Sequence, residues 1–165
     1  MYKFTAPYGK LTKYITVFTI LFLAGLALFF FLMDKQISYL STTLFILLVT
    51  ILIFLSYAFS PLGYTVDHKE IKIQRIIKSI IIPLSAVKEV RFDPKAGDLK
   101  AARLFGSGGL FGYYGKFRSA DLGVHDRYVT DCKKSVVIYA DKTYVISPDR
   151  PEVFVGLVEG RINKK

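Results

Sequence analysis

The stretch RLFGSGGLFGYYGKF, from Arg103 to Phe117, contains residue types that could bind a phosphate group. Five glycines lie among large apolar and aromatic side chains, and a Gly115-Lys116 pair stands near the end. A nucleotide-binding P-loop needs Ser or Thr directly after its Lys, because that hydroxyl holds the magnesium ion, and a helix must follow. Here Phe117 takes the hydroxyl position and no helical pattern follows. A P-loop is therefore rejected.

The same glycines also fail the dinucleotide-binding pattern. Gly106, Gly108 and Gly112 give the spacing G-x-G-x-x-x-G, which is one residue too long. Glycine inside a strand permits a bend, a bulge or the close approach of a second backbone, so we favour a structural role over ligand binding. A third interpretation stays open, in which the aromatic rings meet the membrane headgroups. The residues available for membrane or ligand contact are Arg103, Phe105, Phe111, Tyr113, Tyr114, Lys116 and Arg118.

Elsewhere the sequence offers little for catalysis. His68 lies in a predicted turn and His125 in a polar connection, and neither has a second His or Cys at metal-ligand spacing. A Gly-x-Ser-x-Gly elbow is absent. The lone Cys132 allows no internal disulfide and fits a reducing compartment. Three acids in irregular sequence are interpreted as solvated surface: Asp121, Asp126 and Asp131. We therefore expect a non-enzymatic protein with no catalytic residues, no cofactor and no metal.

Two long uncharged runs near the N-terminus predict membrane spans. The first runs from Tyr14 to Met33 and would be about 30 Å long as a helix, which matches the hydrocarbon core of a bilayer. The second predicts a helix over about Tyr39 to Phe59, ended by Ser60-Pro61. A cleaved signal peptide is disfavoured because no small-residue cleavage site follows. A 165-residue globule would not cover two helices that are apolar on every face.

The distribution of charge predicts the orientation. The chain carries a net charge of +10, of which Lys3, Lys10 and Lys13 supply +3, while Asp34 and Lys35 in the turn cancel, so +7 remains beyond the spans. The positive-inside rule then places both termini in the cytoplasm of a multi-pass inner-membrane protein. The predicted segments are a basic tail 1–13, a span 14–33, an outer turn 34–38, a span 39–60 and a cytoplasmic domain 61–165.

Period-two patterns predict that this domain is rich in strands. GYTVD and EIKIQR alternate on either side of a turn at His68-Lys69, and AVKEVRF alternates again. SIIIPL is a continuous apolar run, which predicts a buried strand. SVVIYADKTYVIS predicts a hairpin with a turn near Asp141-Lys142. In total we expect about seven strands.

The C-terminal segment SPDRPEVFVGLVEGRI predicts a helix instead. Asp149 and Glu152 have the spacing of a capping box, and Pro151 suits the first turn. Four apolar residues fall on one face at helical spacing: Phe154, Leu157, Val158 and Ile162. Such a helix would cover one open end of the strands.

The segment from Pro61 to Ile162 resembles a bacterial pleckstrin-homology (PH)-like domain of the kind that follows a pair of membrane spans. The matching stretches are YTVDHKEIKIQR, IIIPLSAVKEV, RLFGSGGLFGYYGKF and YVISPDRPEVFVGLV. The resemblance implies an α+β protein, with a transmembrane helical hairpin followed by a PH-like β-barrel or sandwich of about seven strands and a C-terminal capping helix. It implies little about activity, because one fold hosts many ligands.

The leading functional hypothesis is a membrane-anchored binding or adaptor module. Its expected partners are the lipid bilayer itself and either anionic lipid headgroups or a membrane protein; nucleic acid is not expected. A basic face beside an anionic leaflet gains about 1 kcal/mol for each well-placed Lys or Arg. The excess charge also fits an ordinary cytoplasmic-side bias that binds nothing in particular. The alternative hypothesis is a structural subunit of a larger membrane complex, and the sequence leaves the ligand and the oligomeric state open.

Overall fold

The computed structural model describes residues 1–32 and 39–162, so the outer turn predicted at 34–38 lies outside the described residues. Strands and helices are numbered separately in chain order. The elements are β1 Tyr2–Thr5, α1 Lys10–Leu32, α2 Tyr39–Phe59, β2 Gly63–Val66, β3 Glu70–Gln74, β4 Ile80–Pro83, β5 Glu89–Phe92, β6 Ala102–Gly109, β7 Gly112–Ser119, β8 Gly123–Val129, β9 Val136–Tyr139, β10 Thr143–Ile146 and α3 Pro151–Ile162. Short 3-10 turns cover Pro94–Gly97 and Cys132–Lys134.

Helices α1 and α2 are long and apolar enough to cross a membrane. They contact each other near the ends farthest from the sheet-rich domain, where the rings of Phe30 and Phe45 meet edge to face at 5.3 Å. Helix α2 ends at Phe59, as the sequence predicts, and Ser60 caps its last turn by donating its side-chain hydroxyl to the Tyr57 carbonyl at 2.7 Å. Helix α1 starts at Lys10, four residues before the predicted start of the span.

The first residues of the chain belong to the sheet-rich domain. Within the segment 1–13, expected as a tail, β1 pairs antiparallel with β2. The Phe4 ring packs edge to face against Phe154 of α3 at 5.2 Å. The alternation of Tyr2 and Phe4 with polar residues is too short to predict a strand. As a result, chain on both sides of the two long helices is built into one domain.

Two sheets form this domain. The first has the strand order β1-β2-β3-β4, and the second has the order β5-β9-β10-β8-β7-β6, in which only the described β10–β8 pair is parallel. A shared apolar core lies between the sheets and is closed by α3. Its fully buried members include Tyr64 and Ile71 of the first sheet, Ile138 and Ile146 of the second, and Phe154. Burial raises the pKa of Tyr64 to about 12, so its phenol stays protonated and donates to the Tyr128 carbonyl.

The second sheet is also covered on its other face. A smaller apolar cluster there contains Tyr113, Phe117, Val137 and Val145, with the two 3-10 turns packed over it. Strands β9 and β10 are therefore buried on both faces, and this explains their continuous apolar sequence.

Three sequence-based expectations about the domain need correction. The described residues contain nine strands after the helices, not about seven, and the two sheets do not close into a barrel. Strand β4 is not buried on both faces, because it lies at the edge of its sheet: Ile82 is buried, whereas Ile81 is exposed. The apolar run that predicted a buried strand therefore has one face open.

Helix α3 is confirmed, with Phe154 and Val158 fully buried and Leu157 and Ile162 packed beside them. The capping box predicted between Asp149 and Glu152 is wrong. The helix begins at Pro151, and Phe154 donates its backbone N–H to the Arg150 carbonyl. Arg150 thus takes the capping position, and no capping hydrogen bond reaches the Asp149 side chain, whose Oδ1 is buried without a partner in the described part of the chain.

Candidate functional site

The glycine-rich stretch forms the β6–β7 hairpin, and two of its glycines face each other across the strands. Gly106 pairs with Gly115, and both have positive φ angles, of 107° and 116°. A Cβ on Gly106 would collide with the Tyr114 carbonyl oxygen, and one on Gly115 would collide with the Phe105 carbonyl oxygen. The backbones approach too closely here for any other residue.

The tip of this hairpin is docked on the long helices. The backbone N–H of Phe111 donates to Thr16 Oγ1 of α1 at 3.0 Å, and the Phe111 ring lies 5.2 Å from the Tyr57 ring of α2. A Cβ on Gly109 would come within 2.7 Å of the Ile15 side chain. The hairpin therefore contacts both helices at the ends nearest the domain.

Further hydrogen bonds hold this junction. The Tyr114 hydroxyl donates to the Ser56 carbonyl of α2 at 2.5 Å and lies 2.7 Å from Ser56 Oγ, which can donate in return. Burial raises the pKa of Tyr114, so the phenol keeps its proton. On α1, the Thr12 hydroxyl donates to the Thr130 carbonyl at 2.8 Å. The helices and the second sheet are therefore bonded directly, beyond the connecting chain.

A cavity of about 1130 Å³ lies at this junction, and we call it the junction cavity. One wall is apolar and is formed mainly by Leu52, Leu55 and Phe59 of α2. The remaining lining comes mainly from β6, β7 and β8, with Arg75 from the chain directly after β3, and it carries charge. The lining charged residues are Arg75, Arg103, Lys116 and Asp126. The cavity therefore has two kinds of surface. One is apolar and continuous with a span-length helix, and the other is polar and belongs to the domain.

The polar wall has an excess of positive charge. Three cations line it and only one carboxylate, Asp126, does so, which leaves a net charge of +2. In residues 1–32 and 39–162, none of these three cations forms an ion pair. Lys116 and Asp126 are cross-strand neighbours without reaching ion-pair distance. The cations therefore keep donors for an external anion.

Arg75 is positioned by aromatic rings. Its guanidinium lies 5.4 Å from the centre of the Tyr128 ring and 5.8 Å from that of Phe59. Its Nε and Nη2 also both donate to the Lys78 carbonyl, at 3.0 and 2.5 Å. Burial, followed by the charge of Asp126, raises the pKa of Tyr128 to about 12, so this phenol is a neutral group beside the cation.

Arg103 occupies space that a glycine leaves open. Its Nη1 lies 3.0 Å from where a Cβ on Gly108 would sit. Gly108 therefore lets the guanidinium lie along the strand at the rim of the junction cavity. This glycine has a role in positioning a candidate binding residue, unlike the Gly106–Gly115 pair.

The structure brings together four of the seven residues predicted for membrane or ligand contact. Arg103, Phe105, Tyr114 and Lys116 all line the junction cavity, and Phe105 is 78% exposed at its edge. The other three lie elsewhere. Phe111 packs on α2, Tyr113 is buried in the smaller apolar cluster, and Arg118 is exposed outside the cavity.

Sequence reasoning missed five polar residues that line the cavity: Ser56, Arg75, Ser107, Asp126 and Tyr128. Arg75 follows β3, Ser56 belongs to α2, and Asp126, which was interpreted as solvated surface, lies on β8. No spacing in the sequence relates these positions, because only the docking of the sheet on α2 brings them together. Ser56 is a polar residue near the end of a long apolar helix, and that position is the one sequence signal that could have identified it.

His125 also needs correction, because it lies in β8 and is only 2% exposed, not in a polar connection. Burial lowers its pKa, so the ring is neutral. Its Nδ1 lies 3.0 Å from the Gly123 carbonyl, and its Nε2 lies 3.3 Å from Nη2 of buried Arg127. A neutral ring protonated on Nδ1 satisfies both contacts. This pair faces the smaller apolar cluster and has no access to the junction cavity.

Comparison with known proteins identifies the domain. No curated protein and no solved structure matches the chain. A family model described as the bacterial PH domain matches residues 62–162, which is more than half of the chain and covers every cavity residue that the domain supplies. Two sheets, a C-terminal helix and two apolar N-terminal helices agree with the resemblance drawn from the sequence. The chain belongs to the bacterial PH domain family.

Proposed function

We propose that this protein is a membrane-anchored, non-enzymatic binding module, which engages an acidic partner at the cytoplasmic face of the membrane through the junction cavity. The observation that carries the proposal is the cavity itself. It joins three cations, which form no ion pair within the described residues, to an apolar helix wall at the point where the domain meets α2. A concave site with an apolar lining and a few convergent polar groups is the usual form of a binding site.

Anchoring and orientation follow from the two helices and the charge distribution. Both α1 and α2 are long enough to span a bilayer, and their apolar side chains are largely exposed, which is unfavourable in water and favourable in lipid. The lysines before α1 and the +7 beyond α2 favour a cytoplasmic position for the domain. The docked hairpin then holds the cavity at the height of the inner leaflet.

A sidedness measurement tests the anchoring. In a Cys132→Ser background, Lys142→Cys places a thiol in the exposed β9–β10 turn. A membrane-impermeant maleimide should label it in inverted vesicles and leave it unlabelled in right-side-out vesicles. The opposite pattern, or recovery of the chain in the soluble fraction, contradicts the proposal.

Photo-crosslinking in intact membranes tests the site. Phe105→benzoylphenylalanine, at the cavity edge, should capture a lipid or protein partner, and Arg103→Gln with Lys116→Gln should reduce the yield. Val124→benzoylphenylalanine is the matched control, because Val124 is exposed and does not line the cavity. Equal yields at both positions, unaffected by removal of the charges, would refute a binding role for the cavity.

A structural subunit of a larger membrane complex is the second candidate. It is favoured by a separate apolar groove of about 460 Å³ along α2, lined by Thr50, Ile53, Phe54, Tyr57 and Phe111. An apolar groove on a span-length helix suits another membrane helix. Purification in mild detergent with another membrane protein at fixed stoichiometry, insensitive to loss of the cavity charges, would favour this candidate.

A further inference from the structure

We propose that the junction cavity binds one anionic phospholipid of the inner leaflet, with its phosphate among Arg75, Arg103 and Lys116 and one acyl chain along Leu52 and Leu55. This inference rests on the proposed function, because it identifies the acidic partner of the same cavity. It adds the identity of that partner and its route, because a lipid would enter the cavity laterally from the bilayer and not from the cytoplasm.

The cationic end of the cavity selects for negative charge. Two guanidinium groups and one ammonium line it, and the single carboxylate is Asp126. Arginine binds phosphate oxygens with two parallel hydrogen bonds, so Arg103 suits a phosphodiester. Arg75 already donates from Nε and Nη2 to the Lys78 carbonyl, and its Nη1 is left to contact the phosphate. A net charge of +2 exceeds what one phosphodiester neutralises, and Asp126 can accept from a headgroup hydroxyl. A zwitterionic lipid would place a fourth cation beside these three.

The apolar end is open toward the region where lipid tails lie. Leu52 and Leu55 line the cavity and are still 56% and 38% exposed, so their wall is accessible along the helix. Leu52 precedes Phe59 by seven residues, or about 10 Å along the helix axis. The cavity therefore extends from the end of α2 to a depth at which acyl chains begin.

Shape distinguishes a lipid from a small soluble anion. Drug-sized ligands occupy cavities of roughly 300–1,000 Å³, and the volume here is about 1130 Å³. Ser107 and Tyr114 also line the cavity. A free phosphate would leave the whole apolar arm uncovered, whereas a diacyl lipid covers both ends. The exposed Phe105 would then lie at the membrane interface, where aromatic rings partition favourably.

Native mass spectrometry of the full chain tests this occupant. The protein is purified in a mild non-ionic detergent and exchanged with phosphatidylglycerol or phosphatidylcholine. We expect one retained phosphatidylglycerol per chain and no retained phosphatidylcholine. Arg103→Gln with Lys116→Gln should weaken retention about 25-fold, which corresponds to about 1 kcal/mol for each cation. The charge-conserving pair Arg103→Lys with Lys116→Arg should retain the lipid.

The matched control removes the same charge elsewhere. Lys88→Gln with Lys133→Gln changes two exposed lysines that do not line the cavity, and retention should stay at the wild-type level. An equal loss in the control would show general attraction to anionic lipid and overturn the site. Equal retention of both lipids by the wild-type chain would also overturn it.

A separate variant tests the acyl-chain arm. Leu52→Trp fills the apolar end without changing charge and should reduce phosphatidylglycerol retention at least several-fold. Unchanged retention would remove the acyl chain from the proposal. If no lipid is retained but the Phe105 crosslink still captures a charge-dependent protein partner, the lipid inference fails and the proposed function survives. If neither is seen, both fail.

Discussion

Two neighbouring rows of residues across the second sheet show how one sheet serves the fold and the candidate site. One row runs through Gly106, Gly115, Arg127 and Val145, and the adjacent row runs through Phe105, Lys116, Asp126 and Tyr144. Successive residues of a strand point to opposite faces. The side chains of Arg127 and Val145 in the first row therefore face the smaller apolar cluster. In the second row, one residue away, Phe105, Lys116 and Asp126 line the junction cavity.

The two rows use positive charge in opposite ways. Arg127 is 1% exposed, and its guanidinium donates to the carbonyls of Ala96, at 2.9 Å, and Asp98, at 3.1 Å, while lying 4.7 Å from the Phe117 ring centre. Its donors are used to hold the first 3-10 turn. Lys116 has no such partner among the described residues. Arg127 is structural because both of its terminal nitrogens donate to carbonyls, although its Nε has no partner among the described residues. A cation lining an open cavity is instead available for a ligand.

The largest expected effect comes from the row that contains Gly106, Gly115, Arg127 and Val145, which we call the structural row. Arg127→Met should lower the free energy of unfolding by about 4 kcal/mol, because the carbonyls of Ala96 in the first 3-10 turn and of Asp98 after it lose their donor. Arg103→Met in the cavity should change it by less than about 0.5 kcal/mol. Thermal unfolding of the full chain in detergent, followed by circular dichroism, measures both. Similar melting temperatures for the two variants would remove the distinction between the rows.

The glycine pair of the structural row should tolerate no side chain. Gly106→Ala forces a Cβ against the Tyr114 carbonyl at a positive φ, and should cost about 2–3 kcal/mol. Gly156→Ala is the control, because this helical glycine has open space around its Cβ position, and alanine there should stabilise by about 1 kcal/mol. The same melting assay applies. An unaffected Gly106→Ala variant would contradict the close approach of β6 and β7.

The bond between α2 and β7 should contribute less. Tyr114→Phe removes the hydroxyl shared with Ser56 and should cost about 1 kcal/mol, since both groups are part-buried. Tyr2→Phe, at an exposed ring in β1, should be neutral within about 0.5 kcal/mol. If Tyr114→Phe is as neutral as Tyr2→Phe, the sheet is not held to α2 by this hydroxyl.

The smallest effect is a dependence of stability on pH at His125. Burial lowers the pKa of this ring in the folded chain, so the unfolded chain binds a proton first as the pH falls below the ordinary value of about 6.5. Stability should be constant above about pH 7 and decrease between pH 7 and the lower folded pKa. His125→Gln should flatten this part of the profile, and His68→Gln, at an exposed turn, should not.

A profile that stays flat in the wild-type chain would contradict the neutral, buried state of His125. If His68→Gln abolished the slope and His125→Gln left it intact, the slope would not come from His125. Either result would require a different account of the contact between His125 and Arg127.

Sequence periodicity predicted the elements that have a regular face. Strands β2 and β3, the β9–β10 hairpin, the end of α2 and the buried face of α3 were all predicted near their observed positions. Glycines interrupt the alternation in β6 and β7, and His125 was interpreted as part of a polar connection. A bent strand was therefore favoured for the glycine-rich stretch, but neither the bounds of β6, β7 and β8 nor their pairing was predicted. The family resemblance supplied the fold class but neither the number of strands nor the open sheets.

The candidate site was only half predictable, for a physical reason. Arg103, Phe105, Tyr114 and Lys116 share one hairpin, so a local search finds them. Arg75 and Ser56 reach the cavity through packing of the sheet on α2, which is a tertiary contact that no local pattern encodes. Tyr113 differs from Tyr114 only in the face on which it lies, and the disrupted alternation of the hairpin hides that difference.

The central claim is that the cavity cations bind an anionic group at the membrane, and thermal unfolding in lipid nanodiscs tests it most directly. A ligand that binds only the folded state raises its stability by mass action. The account predicts that the wild-type chain melts at a higher temperature in nanodiscs containing phosphatidylglycerol than in pure phosphatidylcholine, and that Arg103→Gln with Lys116→Gln abolishes this increase. An equal increase in wild type and variant would contradict it.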